Sequence, residues 1–91
     1  MALVQCEVSD GLRDAEATVT IMSYAGRPEY LPVDRGFLRH EGENHYLPVA
    51  VIHTDEAKGA ILIALPVEAD SGAYRIWVKK AILRSTGGVP V

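Results

Sequence analysis

Five side chains able to bind a metal or carry a proton crowd one part of the sequence: His40, Glu41, Glu43 and His45, with His53 further on. In an extended strand His45 and His53 share a face, but eight residues separate them by roughly 26 Å, too far for one ion. A hairpin over residues 41–44 brings His40 opposite His45, so these two are the candidate metal ligands. Two imidazoles and a flexible glutamate fall short of a complete tetrahedral set, and no cofactor is implied. Elsewhere the residue types do not assemble into catalysis. Asp70-Ser71-Gly72 has the composition of a turn rather than a nucleophile elbow. The carboxylate pairs Asp55/Glu56 and Glu68/Asp70 sit in polar loops with nothing to desolvate them. The glycines are scattered among turns without a phosphate-cradling run. No catalytic residue is assigned, and the expectation is a protein that is not an enzyme.

A second group of residues points to binding. Over residues 74–79, period-two alternation places Tyr74, Ile76 and Val78 on one face and Arg75, Trp77 and Lys79 on the other. A tryptophan between two cations on a polar face has the composition of a protein contact, where Trp, Tyr and Arg are the usual anchors. It also admits base stacking, which makes single-stranded nucleic acid the alternative partner. The cations could instead lay their stems along the rim of the core.

The elements that must carry these residues read as strands. No window shows the apolar stripe of a helix, and apolar runs alternate at short spacing. Strands are expected over 2–8, 15–24, 29–33, 37–40, 45–53, 60–67 and 73–83, with turns at Ser9-Asp10-Gly11, Ala25-Gly26-Arg27-Pro28, Asp34-Arg35-Gly36, 41–44, 54–59 and 68–72. Strands 45–53 and 60–67 are apolar on both faces and make the strongest hairpin. Such strands are covered on each side, or meet another subunit. Leu-Pro-Val recurs at 31–33, 47–49 and 65–67, marking strands that bend or stop at a proline.

Composition bounds the rest. The 91 residues are 48% hydrophobic and 23% charged, with a formal charge of −3, as expected for an ordinary globular domain. A chain this long buries only about 60 to 65% of its unfolded surface, so one modest core is expected, helped by oligomerisation. The expected organisation is one β-domain over 1–84 and a mobile tail over 85–91. The acidic balance argues against nucleic acid. No apolar run reaches the roughly 20 residues of a membrane span, and residues 1–10 lack the pattern of a leader. The single Cys6, on the apolar face of its strand, reads as a buried residue in a reducing compartment. A cytoplasmic location without membrane contact is the expectation.

The segment Phe37-Leu38-Arg39, His45-Tyr46-Leu47-Pro48-Val49, Ile52-His53-Thr54-Asp55 and Lys58 through Leu65 resembles the PRC-barrel family and its small bacterial relatives, over about residues 37–67. The resemblance implies a small SH3-like or PRC-like β-barrel, partly open, that binds proteins rather than catalysing a reaction. It carries over no functional residue. A second stretch, Ile61, Ile63, Asp70-Ser71-Gly72, Tyr74, Ile76 and Val78, is similar to the tyrosine corner of an immunoglobulin domain. Ser23 and Ile76 stand where that framework has cysteines, and Phe37 would have to serve as its core tryptophan. The expected fold is therefore all-β, a small barrel of six or seven strands, with an immunoglobulin-like β-sandwich as alternative. The expected function is a non-catalytic interaction or assembly module with Arg75, Trp77 and Lys79 at its contact surface. Its partner is a protein or a second copy in a homodimer.

Overall fold

Alternation of apolar and polar residues governs the fold. In the computed structural model, which describes residues 2–85, β2 (Glu16–Met22) buries Ala17, Val19 and Ile21 and turns Thr18 and Thr20 outward. Its partner β3 (Pro28–Asp34) does the same with Leu31 and Val33. The other strands are β1 (Ala2–Asp10), β4 (Arg39–Glu41), β5 (Asn44–Asp55), β6 (Ala60–Ala64), β7 (Arg75–Lys79) and β8 (Leu83–Ser85). Three-residue 3-10 turns at Arg35–Phe37 and Lys80–Ile82 are the only helical segments among the described residues. No helix there is long and apolar enough to cross a membrane.

All pairings are antiparallel, and the main path runs β3-β2-β1-β5-β6-β7, with β4 on β5 and β8 on β1. Two long strands divide their lengths between neighbours. β1 gives Ala2 to Cys6 to β5 and Glu7 to Asp10 to β2, while Ala2 to Val4 also pair with β8. β5 pairs first with β4 and then with β6 along its other edge. Dividing the ladders in this way lets one sheet curl into a partly open barrel. The ends of the path are joined by single hydrogen bonds rather than a ladder. The Tyr24 N–H donates to the Trp77 carbonyl at 2.7 Å, and the Asp70 N–H to the Tyr30 carbonyl at 2.7 Å.

The core is the inner face of that curl: Val4, Val19, Ile21, Leu31, Leu47, Ile61, Ile63 and Val78, from all six strands of the path, are fully buried. The Leu-Pro-Val triplets serve it directly. Leu31/Val33 and Leu47/Val49 point inward around an outward proline, and Leu65 is buried just after β6 ends. Pro48 lies in the interior of β5, where a missing N–H would break a ladder. It is accommodated because along β5 the ladder to β4 reaches only to Tyr46 and the ladder to β6 runs only from Ala50 onward, which leaves Pro48 without a partner in either. The 42–43 turn puts Gly42 at φ 60°, the glycine-favoured first position of a tight hairpin turn.

The expected small, partly open all-β barrel forms, with six strands on its main path. Within it the expected strand 73–83 is interrupted: β7 ends at Lys79, a 3-10 turn intervenes, and β8 returns to β1. Continued alternation would have driven Lys80 inward, and the turn instead lets Leu83 enter the core. Ser85 pairs with Ala2; residues 86–91 of the expected tail lie outside the described residues. The expected strand 37–40 is β4, beginning at Arg39, and Phe37 is exposed in a 3-10 turn. Tyr74 precedes β7 and is exposed rather than inward. With Tyr74 outside the core and one continuous sheet, the immunoglobulin-like sandwich is not formed.

Candidate functional site

The residues singled out on β7 lie as alternation requires. Ile76 and Val78 are buried, and Arg75, Trp77 and Lys79 are exposed. The register places Trp77 opposite Leu62 of β6, and Leu62 in turn opposite His53 of β5. Across this row the Trp77 and His53 rings meet edge-to-face, with centroids 6.0 Å apart. The indole, 39% exposed, is thus held on the outer face rather than left free.

The turn between β2 and β3 builds a wall beside it. The Tyr24 backbone N–H is fixed to the Trp77 carbonyl, and its hydroxyl donates to the Lys58 carbonyl at 3.2 Å. Lys58 itself is set by the turn between β5 and β6, where its N–H donates to Asp55 Oδ1 at 3.2 Å. Together Tyr24, Asp55, Lys58, Ala60, Arg75 and Trp77 line an open groove of about 490 Å³, within the size range of ligand-binding clefts. Its floor is aromatic and apolar. Among the described residues Lys58, Arg75 and Lys79 have no ion-pair partner, whereas Lys80 is paired with Glu56 at 3.3 Å. The groove is therefore positively rimmed on a chain whose net charge is −3.

Of the residues lining the groove, the sequence singles out Arg75 and Trp77, with Lys79 on the same face of β7, but not Tyr24, Asp55 and Lys58. These come from two turns distant in sequence, and no local pattern announces that they converge on β7.

The metal candidates are brought together in part. His40 and His45 are direct partners on β4 and β5, with ring centroids 5.9 Å apart. The nearby Glu41 is engaged elsewhere: its carboxylate accepts from both Arg84 guanidinium nitrogens, at 2.6 and 3.2 Å. Arg84 also lies over the Tyr46 ring, 5.0 Å from its centroid. No third His, Cys, Asp or Glu joins the pair among the described residues. Cys6 is buried, and burial pushes its thiol up to about 11, away from the reactive thiolate. Tyr74 is held above its ordinary range by its hydrogen bond to Glu68.

Comparison with known protein families, curated proteins and solved structures gives no match to this chain.

Proposed function

We propose that the chain is a non-catalytic protein-interaction module that self-associates, with Arg75, Trp77 and Lys79 at its contact surface. The observation that carries this reading is the Trp77 groove: a tryptophan held on the outer face, walled by Tyr24 and rimmed by Lys58 and Arg75, which have no ion-pair partner among the described residues. Aromatic anchors beside arginine are the side chains that contribute most to protein interfaces. Exposed Val51 and Ile52, where β5 bulges, add apolar surface for a second protein to cover. Placement among PRC-barrel or SH3-like proteins belongs to the same proposal, supported by the curled, partly open sheet. So does a reducing, cytoplasmic setting, supported by the lone buried Cys6.

The test is Trp77 fluorescence, the chain having one tryptophan, followed across protein concentration with a soluble quencher. Quenchable emission that becomes protected as concentration rises is expected. Trp77→Ala should weaken association, measured by sedimentation, while leaving the far-ultraviolet dichroism unchanged. A folded Trp77→Ala chain that associates as the wild type does would overturn the proposal. Salt-sensitive binding of a single-stranded oligonucleotide, lost in Arg75→Glu, would assign the groove to nucleic acid instead.

A further inference from the structure

The loop between β1 and β2 carries a side chain that the fold does not use. Leu12 is fully exposed, at 102% of its reference area, in the run Asp10-Gly11-Leu12-Arg13-Asp14. A scattered exposed leucine is unremarkable, but this one is presented on a fixed loop. The Glu16 N–H donates to the Arg13 carbonyl at 3.0 Å. Arg35 ties down the remainder: Nε donates to the Asp14 carbonyl at 2.9 Å, Nη2 to Asp10 Oδ1 at 3.1 Å, and its backbone N–H to the Ala15 carbonyl at 2.9 Å. Gly11 completes the closure, because a Cβ there would lie 2.9 Å from the Glu16 backbone. A pinned apolar side chain binds with little ordering cost.

The geometry points to Leu12 of one copy docking into the Tyr24–Trp77 groove of the next, so that this chain assembles head to tail. This rests on the interaction reading above and names its partner and contact. Three observations select the occupant. The groove offers Tyr24, Ala60 and Trp77 to an apolar side chain. Lys58 and Arg75 in its lining, with Lys79 further along the same face of β7, outnumber Asp55, whereas Asp14 and Glu16 beside Leu12 outnumber Arg13 once Asp10 is paired with Arg35, so the two surfaces are complementary in charge. Loop and groove also lie at opposite ends of β2, whose seven residues span about 23 Å. One copy therefore presents both surfaces at once and does not fill its own groove. A symmetric contact of two grooves would instead set the three cations against their own copies, which is unfavourable. A head-to-tail contact repeats until it closes a ring or continues as a filament.

The experiment is complementation in sedimentation velocity, using the full chain. Leu12→Asp removes the knob and keeps the groove. Arg75→Glu, an exposed position, impairs the groove and keeps the knob, with Trp77→Ala as a second groove variant. Each variant alone should associate more weakly, about tenfold or more for Leu12→Asp and about 30-fold for Trp77→Ala. Mixing Leu12→Asp with either groove variant should give discrete one-to-one dimers at concentrations where each alone is monomeric, because one intact contact survives in the mixture only if both intact surfaces belong to different chains. A Trp77→Ala defect without a Leu12→Asp defect would overturn the head-to-tail contact and leave the interaction reading standing. Variants that both associate as the wild type does would overturn both. A wild-type chain that stays monomeric at millimolar concentration would overturn both, and a mixture that never dimerises would overturn the head-to-tail contact.

Discussion

The two faces of β7 differ in what they ask of their residues. Ile76 and Val78 on the inner side belong to one core with residues of β1, β2, β3, β5 and β6, while Arg75 and Trp77 on the outer side line a groove shared with two turns and Lys79 lies exposed on the same face. A change on the inner face acts on folding, and under the proposed function a change on the outer face acts on association. The separation teaches that one five-residue strand can hold the core with one face and leave the other exposed for a different role, because alternation keeps the two on different atoms.

The largest expected effect breaks this comparison from the inside. Ile61→Ala, at a fully buried position, should cost about 2 to 5 kcal/mol in denaturant titration. The chain that remains folded should keep its association constant. Next comes the buried thiol. Cys6 rises from an ordinary 9.0 to about 11 in the folded chain, so the folded state holds this proton more tightly than the unfolded state does. Its contribution is fully present below pH 9 and is lost as the pH rises through 11, by at most about 1.4 kcal/mol per pH unit. Comparing the alkaline slope of stability in the wild type and in Cys6→Ala isolates this effect, and equal slopes would refute it.

Gly11→Ala should cost about 1 to 3 kcal/mol, since the new Cβ collides with backbone rather than with a flexible side-chain end. It should also displace Leu12 and weaken association, which links a stability defect to a contact defect. Trp77→Ala sharpens the contrast, with a stability change below about 1 kcal/mol in the same titration and a large change in sedimentation. The smallest effect is expected from Glu41→Gln, which weakens an exposed ion pair to Arg84. A slight fall in the thermal midpoint, suppressed in high salt, would be its signature.

Much of this arrangement was legible in the sequence. The alternation of Ala17, Val19 and Ile21 gave β2, the 54–59 loop marked the β5–β6 hairpin, and the parity of residues 75–79 placed Trp77 outside. The break at Lys80–Ile82 was harder, because Ala81 and Ile82 continue the apolar run. The clue lay in parity: Val78 and Leu83 cannot both face inward on one uninterrupted strand, and Lys80 would have faced inward with Val78. The groove was not legible, since Tyr24 and Lys58 reach Trp77 only through hydrogen bonds of the folded backbone. Leu12 left a local signal, a leucine set among Asp10, Arg13 and Asp14, though its significance depends on the loop being pinned.

The β1–β8 pairing has a mechanical consequence. Ala2 faces Ser85, Leu3 faces Arg84 and Val4 faces Leu83, so tension applied at residues 2 and 85 peels the two strands apart. Each pair then carries the load in turn, as in a zipper, instead of sharing it as in shear. Under stretching, this seam would open first and draw Leu83 out of the core, while the hairpin β2–β3 is still bearing no force.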